Sequence, residues 1–250
     1  MLGPKIDKYA SPKNTYTMAC KLTPWFAWVS IILFLGGIYG SLVYAPPDYQ
    51  QGDAFRIIYV HVPAAWMSMF VYVIMAAAGA LGLVWKVKMM DSIARSCAPL
   101  GASFTALALV TGSIWGKPMW GAWWVWDARL TSELILLFLY LGYMALQSAI
   151  DDRRTAARAG AILALVGVVN IPIIHYSVIW WNTLHQGPTI TKMGAPSIDT
   201  RMLIPLLIMS IAYTTFFAAM LMVRLRSEVL DQERNTSWVR ELVMGGAKNE

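Results

Sequence analysis

Three histidines, one dense run of tryptophans and a handful of charges are the side chains in this sequence with metal or cofactor chemistry within reach. His61, His175 and His185 are its only imidazoles. Residues 115–133 read WGKPMWGAWWVWDARLTSE, so Trp115, Trp120, Trp123, Trp124 and Trp126 fall within twelve residues, with Gly116, Pro118 and Gly121 between them. Glycine and proline punctuate regular structure, so the stretch is expected not to form a smooth helix. An aromatic belt at a bilayer interface supplies one or two rings per helix end, not five in one connection. The rings instead suit a shelf for a large, flat, apolar ligand, each stack adding roughly 0.5–1.5 kcal/mol beyond area burial. Two imidazoles beside such a shelf point to the iron of a haem, which takes histidine readily as an axial ligand.

Each candidate has a functional and a plainer reading. His61 precedes Pro63 in IIYVHVPAA, and proline suits the first turn of a helix. That places His61 at a helix N-terminus, where the dipole disfavours imidazolium and leaves a neutral nitrogen for a metal. His185, in WWNTLHQGP, falls just past the end of another apolar run. A single interfacial histidine is more often a hydrogen-bonding snorkeller than a ligand; a pair flanking the shelf favours ligation. His175 is the fallback ligand, about 15 Å before His185 along an unbroken helix, and is expected to be buried and bonded to a neighbouring helix. Zinc is the weaker metal, because no further ligands are spaced for it. Arg56 and Arg129 could each hold a carboxylate such as a haem propionate bidentately, or simply anchor the interface. Asp127 either orients a ligand histidine through its second nitrogen or caps a helix, capping being the commoner role. Glu133 belongs to the first turn of a helix, where acidic residues suit the dipole.

The elements that position these residues follow from composition. The chain is 58% hydrophobic and 14% charged, against roughly 25% charged for a soluble domain. Apolar runs at about 25–45, 62–85, 96–115, 132–150, 159–181 and 202–223 approach or exceed the roughly 18 residues of a bilayer span. These runs predict an all-α membrane protein with six transmembrane helices. Pro46 directly after Val43 and Ala45 argues that the first run is a retained helix rather than a cleaved leader. With the N-terminus inside, 15 basic residues fall on the inner side and 5 outside, accounting for all 20; the outer five are Arg56, Lys117, Arg129, Lys192 and Arg201. That bias puts both termini in the cytoplasm and the tryptophan loop, between helices 3 and 4, on the outer side. It also accounts for the +6 charge without a nucleic-acid partner; membrane lipid is the partner it implies. Three parts are expected: a cytoplasmic segment 1–24, the six-helix domain 25–223 with the tryptophan-rich loop at 115–130, and a cytoplasmic tail 224–250.

Other features carry less. Cys20 and Cys97 lie toward the reducing side, where a disulfide is disfavoured. No Cys-x-x-Cys-His occurs for covalent haem attachment. Gly112 to Pro118 is one residue short of a phosphate loop, with proline where its Ser or Thr belongs, so ATP-driven work would need another subunit. Gly36 with Gly40 and Gly112 with Gly116 read as close helix packing. Asp151-Asp-Arg-Arg154 reads as a solvated stop, and the tail as solvated helix.

Several long stretches resemble one family. They are WGKPMWGAWWVWDARLT, APPDYQQG at 45–52, RIIYVHVPAA at 56–65, and NIPIIHYSVIWWNTLHQG at 170–187. They resemble the tryptophan-rich signature of haem-handling proteins and, across all six runs, the haem exporter protein C (cytochrome c maturation protein C) family. The resemblance implies a bacterial inner-membrane protein that holds haem b non-covalently on its periplasmic face and serves c-type cytochrome biogenesis. It implies His61 and His185 as axial ligands and the tryptophan loop as platform. It implies as partners an ABC-type ATPase and permease, a small single-span subunit, and a periplasmic haem chaperone. The rival expectations are a quinol-linked b-type cytochrome, which tends to bury its histidine pairs within the helices, and a solute transporter, which would place ionisable residues near mid-bilayer.

Overall fold

The computed structural model describes residues 11–181, 183–185 and 197–246; Lys5, Lys8, Lys192 and Lys248 of the charge count lie outside them. Among the described residues there are eight α-helices: α1 Pro12–Tyr39, α2 Ile58–Trp85, α3 Lys88–Trp120, α4 Ala128–Ala149, α5 Arg153–Gly167, α6 Asn170–Trp180, α7 Thr200–Gln232 and α8 Ser237–Gly246. A π-turn, Gly40–Tyr44, prolongs α1, and a 3-10 turn, Asp53–Ile57, leads into α2. With α5 and α6 forming one span, six stretches are long and apolar enough to cross a membrane. The helices outrun the apolar runs because their polar ends keep hydrogen-bonding in water; α7 continues past Arg224 to Gln232.

Packing is sequential and close. α2 lies along α3, α1 along α7, and α4 and α5 close the bundle against α3 and α2. Small residues set the approach, as expected where lipid tails are as apolar as the helices themselves. Gly40 backs onto Pro205 and Gly79 onto Ala161. Gly101 and Gly160 receive the rings of Tyr140 and Tyr143, and Gly167 receives the Tyr72 hydroxyl. Tyr59, Tyr72, Met75, Leu136, Tyr140 and Tyr143 form the buried centre.

At the end of the bundle where α1 begins and α7 ends, Arg153 pairs with Glu228 at 3.0 Å and Asp231 at 2.8 Å, and Arg95 joins Glu228 at 3.3 Å. The 151–154 turn is therefore more than a solvated stop: Asp152 caps α5 by accepting from Thr155 N, and Arg153 ties that helix to α7. The tail also differs from a solvated helix. Trp238 of α8 packs against Tyr16 at 5.8 Å between ring centroids, and Val239 is buried. An aromatic body can bury more area than its helix loses in hydration.

Candidate functional site

At the opposite end, helix termini and two connections gather the side chains singled out from the sequence. The expected irregular run is helical as far as Trp120; only 121–127 is a true connection. Pro118 removes one hydrogen bond in the last turn, and the third helix tolerates it because the helix stops two residues later, at Trp120. Gly121 closes it at φ 76°, a left-handed C-cap that glycine adopts without a Cβ clash. Trp115 and Trp120 thus stand on a rigid helix end, while Trp123, Trp124 and Trp126 lie on the connection.

His61 sits on α2 near its start, one turn in from the 3-10 segment, and Pro63 lies inside the helix rather than in its first turn. The Nδ1 of His61 faces the Ala108 carbonyl at 3.0 Å and Thr111 Oγ1 at 3.1 Å. The Thr111 hydroxyl donates to the Leu107 carbonyl at 2.6 Å, so toward His61 its oxygen can only accept. Nδ1 therefore carries the proton, and Nε2 keeps its lone pair without a partner among the described residues. Gly112 makes room for this ring: a Cβ there would stand 3.1 Å from His61 Cε1.

His185 is held in the same way by a different group. Its Nδ1 lies 2.9 Å from Asp127 Oδ2, with the two side chains 14% and 7% exposed. The other oxygen, Oδ1, accepts from Leu130 N at 2.8 Å and caps α4. Asp127 takes both roles that the sequence offered, one per oxygen. Burial pushes the His185 imidazole below its ordinary range, against the upward pull of Asp127, with Arg129 adding to the depression. With Nδ1 facing the carboxylate, this ring too has an Nε2 without a partner among the described residues.

The tryptophans divide between them. Trp115 meets His61 edge-on at 5.7 Å, and Trp120 meets His185 at 4.8 Å. Trp115 is fixed in turn by its Nε1–H, which donates to Gln51 Oε1 at 2.9 Å. Gly116 lets Trp120 fold back, a Cβ there falling 3.0 Å from its ring. Trp124 and Trp126 pack at 5.4 Å, the buried Trp124 Nε1–H lacking a partner among the described residues, and Lys117 Nζ stands 6.0 Å from the Trp123 ring. Trp123 and Trp126 are largely exposed. A cleft of about 430 Å³ opens beside them, lined by Trp126, Asp127, Trp181, Thr183 and Leu184.

The two arginines differ. Arg56 is committed: Nε pairs with Asp53 at 2.9 Å, and Nη1 donates to the carbonyls of Ser41 and Ala45, released where the π-turn ends. Arg129 stands on α4 two residues after Asp127 and one turn before Glu133, and its guanidinium has no hydrogen-bond partner among the described residues. Glu133 is buried and accepts from Ser68 Oγ at 2.7 Å.

His175 departs from its expected place. It is exposed, edge-on to Tyr176 at 4.8 Å, and bonded to no neighbouring helix among the described residues. α6 turns Asn170, Ile174 and Ser177 inward, and His175, about 100° round from Ile174, faces away. The sequence reading missed Thr111, Gln51 and the main-chain carbonyl of Ala108. It also took Gly112 and Gly116 for helix packing alone, although both clear space beside site rings.

The sequence matches the profile described as Heme exporter protein C over residues 5–240. It is 52% identical over 237 residues to Heme exporter protein C of Haemophilus influenzae, covering 95% of this chain and 96% of that protein. The Escherichia coli K12 protein of the same name is 51% identical over 239 residues, 96% of each chain. A putative cytochrome c biosynthesis ccmC-like mitochondrial protein of Marchantia polymorpha is 47% identical over 192 residues, 77% of this chain and 78% of that one. On these matches, spanning all six crossings and the histidine-bearing elements, the chain belongs to the haem exporter protein C family.

Proposed function

We propose that this chain is a haem carrier for c-type cytochrome biogenesis, presenting its cargo on the periplasmic face of the bacterial inner membrane to a periplasmic haem chaperone. One observation carries the reading: both imidazoles spend Nδ1 on fixed acceptors and leave Nε2 without a partner among the described residues, each beside a tryptophan anchored on the end of α3. Haem iron accepts two such nitrogens as axial ligands, and acceptors behind the rings fix tautomer and direction. His61 and His185 would hold the iron of a non-covalent haem b. Trp115, Trp120, Trp123, Trp124 and Trp126 would floor the macrocycle, and Asp127 would aim His185.

Arg129, with its donors unspent, is the better partner for a propionate. Arg56, tied to two carbonyls and Asp53, keeps only its remaining Nη group for that work and holds the Gly40–Tyr44 turn in place. The excess of lysine and arginine on the end bearing the termini supports both termini being cytoplasmic. It also supports the division into 1–24, 25–223 and 224–250. An ABC-type ATPase and permease and a small single-span subunit would supply what this chain lacks, a nucleotide site above all.

The test is a spectrum. The chain purified from haem-replete membranes should show bis-histidine Soret and alpha bands, and His61→Ala with His185→Ala together should abolish them. An unaltered spectrum in the double variant would overturn the ligand assignment.

A further inference from the structure

His175 is misplaced for a structural histidine. Ionisable groups within a span almost always face the bundle interior or a partner, yet this one faces outward with no hydrogen bond among the described residues. It also heads a file of rings. His175 stands edge-on to Tyr176 at 4.8 Å, and Tyr176 stacks on Trp180 at 5.2 Å and 26°. Trp180 meets Trp181 at 5.8 Å. Tyr176, Trp180 and Trp181 are 42%, 55% and 49% exposed. Trp181 then lines the cleft whose far wall is Trp126 and Asp127. The file thus runs along the outward face of α6 from the apolar layer to the histidine site without a break.

Resting on the haem-carrier reading, we infer that this face is a lateral entry site. Haem dissolved in the adjoining lipid leaflet is captured on the His175–Tyr176–Trp180 face and passes over Trp181 into the cleft beside His185. The chemistry matches in depth as well as type. Haem is an amphiphile whose two carboxylates stay at the headgroups while the macrocycle lies among the acyl chains. Its iron therefore rides several ångströms below the interface. His175 sits five residues before Trp180, about 7.5 Å down the helix, where an imidazole can meet that iron. An aromatic belt accounts for Trp180 and Trp181 but not for an unpartnered imidazole beneath them. A ligand held by one histidine and one stack is held weakly, as a waypoint must be. The pair His61 and His185 then takes it by double coordination.

The full chain is reconstituted in phosphatidylethanolamine–phosphatidylglycerol vesicles. Ferric haem is supplied either dissolved in the same lipid or bound to albumin in the buffer, and growth of the bis-histidine Soret band is timed. His175→Phe keeps a ring and removes the nitrogen. It should slow loading from lipid, because the iron then meets no nitrogen on this face, and leave loading from albumin and the final spectrum unchanged. His175→Met, which restores an iron ligand, should recover most of the rate. Trp180→Ala should slow the lipid route without touching the albumin route. Equal lipid-route rates for wild type and His175→Phe overturn the proposal, as does equal slowing by both routes. A changed final spectrum overturns it by making His175 a resident ligand. A wild-type chain that gains no bis-histidine spectrum from either source fails the carrier reading itself, and the entry site falls with it.

Discussion

Replacing Asp127 separates the two jobs of its carboxylate, because each oxygen has one partner. Oδ1 caps α4 through Leu130 N at 2.8 Å, and Oδ2 holds His185 Nδ1 at 2.9 Å. In Asp127→Asn the amide oxygen must stay on the cap, since only an oxygen can accept from that N–H. The amide nitrogen then faces His185, a donor toward a ring that was itself donating. Relief requires the ring to move its proton to Nε2, the atom proposed to meet iron. Losing an outer partner of this kind costs a metal ligand about 10–100-fold in affinity, or roughly 1.4–2.7 kcal/mol. The cap survives, so the haem-free protein should unfold within a few tenths of a kcal/mol of wild type. Asp127→Ala loses both bonds: a similar affinity loss, plus about 1 kcal/mol of stability from the missing cap. Haem titration followed at the Soret band gives the affinities, and thermal unfolding of the haem-free chain in nanodiscs gives the stabilities. An Asp127→Asn affinity within two-fold of wild type would refute the reasoning. So would equal stability losses in the two variants.

Three further outcomes follow from other contacts. Gly112→Ala places a methyl 3.1 Å from His61 Cε1; the ring must tilt, and haem affinity should fall several-fold with little change in unfolding, whereas an unchanged titration would show that the ring has slack. Ser68→Ala strips the buried Glu133 carboxyl of its 2.7 Å donor and should lower stability by about 1–3 kcal/mol, the cost of an unsatisfied buried group, as read from the unfolding midpoint; a neutral result would mean that water replaces the hydroxyl. The depressed pKa of His185 makes the unfolded chain bind a proton that the folded site refuses. Its contribution to stability is therefore present above the ordinary imidazole range and lost as the pH falls through the lower folded value. Unfolding midpoints measured across that window should drop in wild type and drop less in His185→Phe.

The fold was legible because six long apolar runs admit few alternatives, and the motif residues were legible because histidine and clustered tryptophan are scarce. What escaped notice escaped for identifiable reasons. The extension of α3 through Gly116 and Pro118 was hidden because breaker residues cost one turn little when tertiary contacts hold it. The direction of His175 was hidden because a span apolar all round has no hydrophobic face to phase it. Its inward face is marked only by Asn170 and Ser177, seven residues apart, the kind of polar and small residues that glue helices within a membrane; that signal was readable. In sequence, Asp127 offers capping or orienting as alternatives, whereas a carboxylate has two acceptor oxygens and serves both. Thr111 and the Ala108 carbonyl were beyond reach, since an acceptor 47 residues away in sequence is chosen by helix packing alone.

The two candidate ligands are not equivalent, and the difference follows from what holds them. His61 is built into α2 and braced by α3, two helices packed along most of their length, and its acceptor is a main-chain carbonyl that cannot move without the helix. His185 lies beyond the end of α6, braced by one carboxylate and one tryptophan edge, beside an open cleft. A carrier must bind firmly and still let go. Placing one ligand on the frame and the other on a connection meets both needs, because only the second has to yield. The same asymmetry explains why acid and Asp127→Asn act on one side of the site and Gly112→Ala on the other. If the iron is shared as proposed, the first two should shift the balance toward haem held by His61 alone, and the third toward haem held by His185.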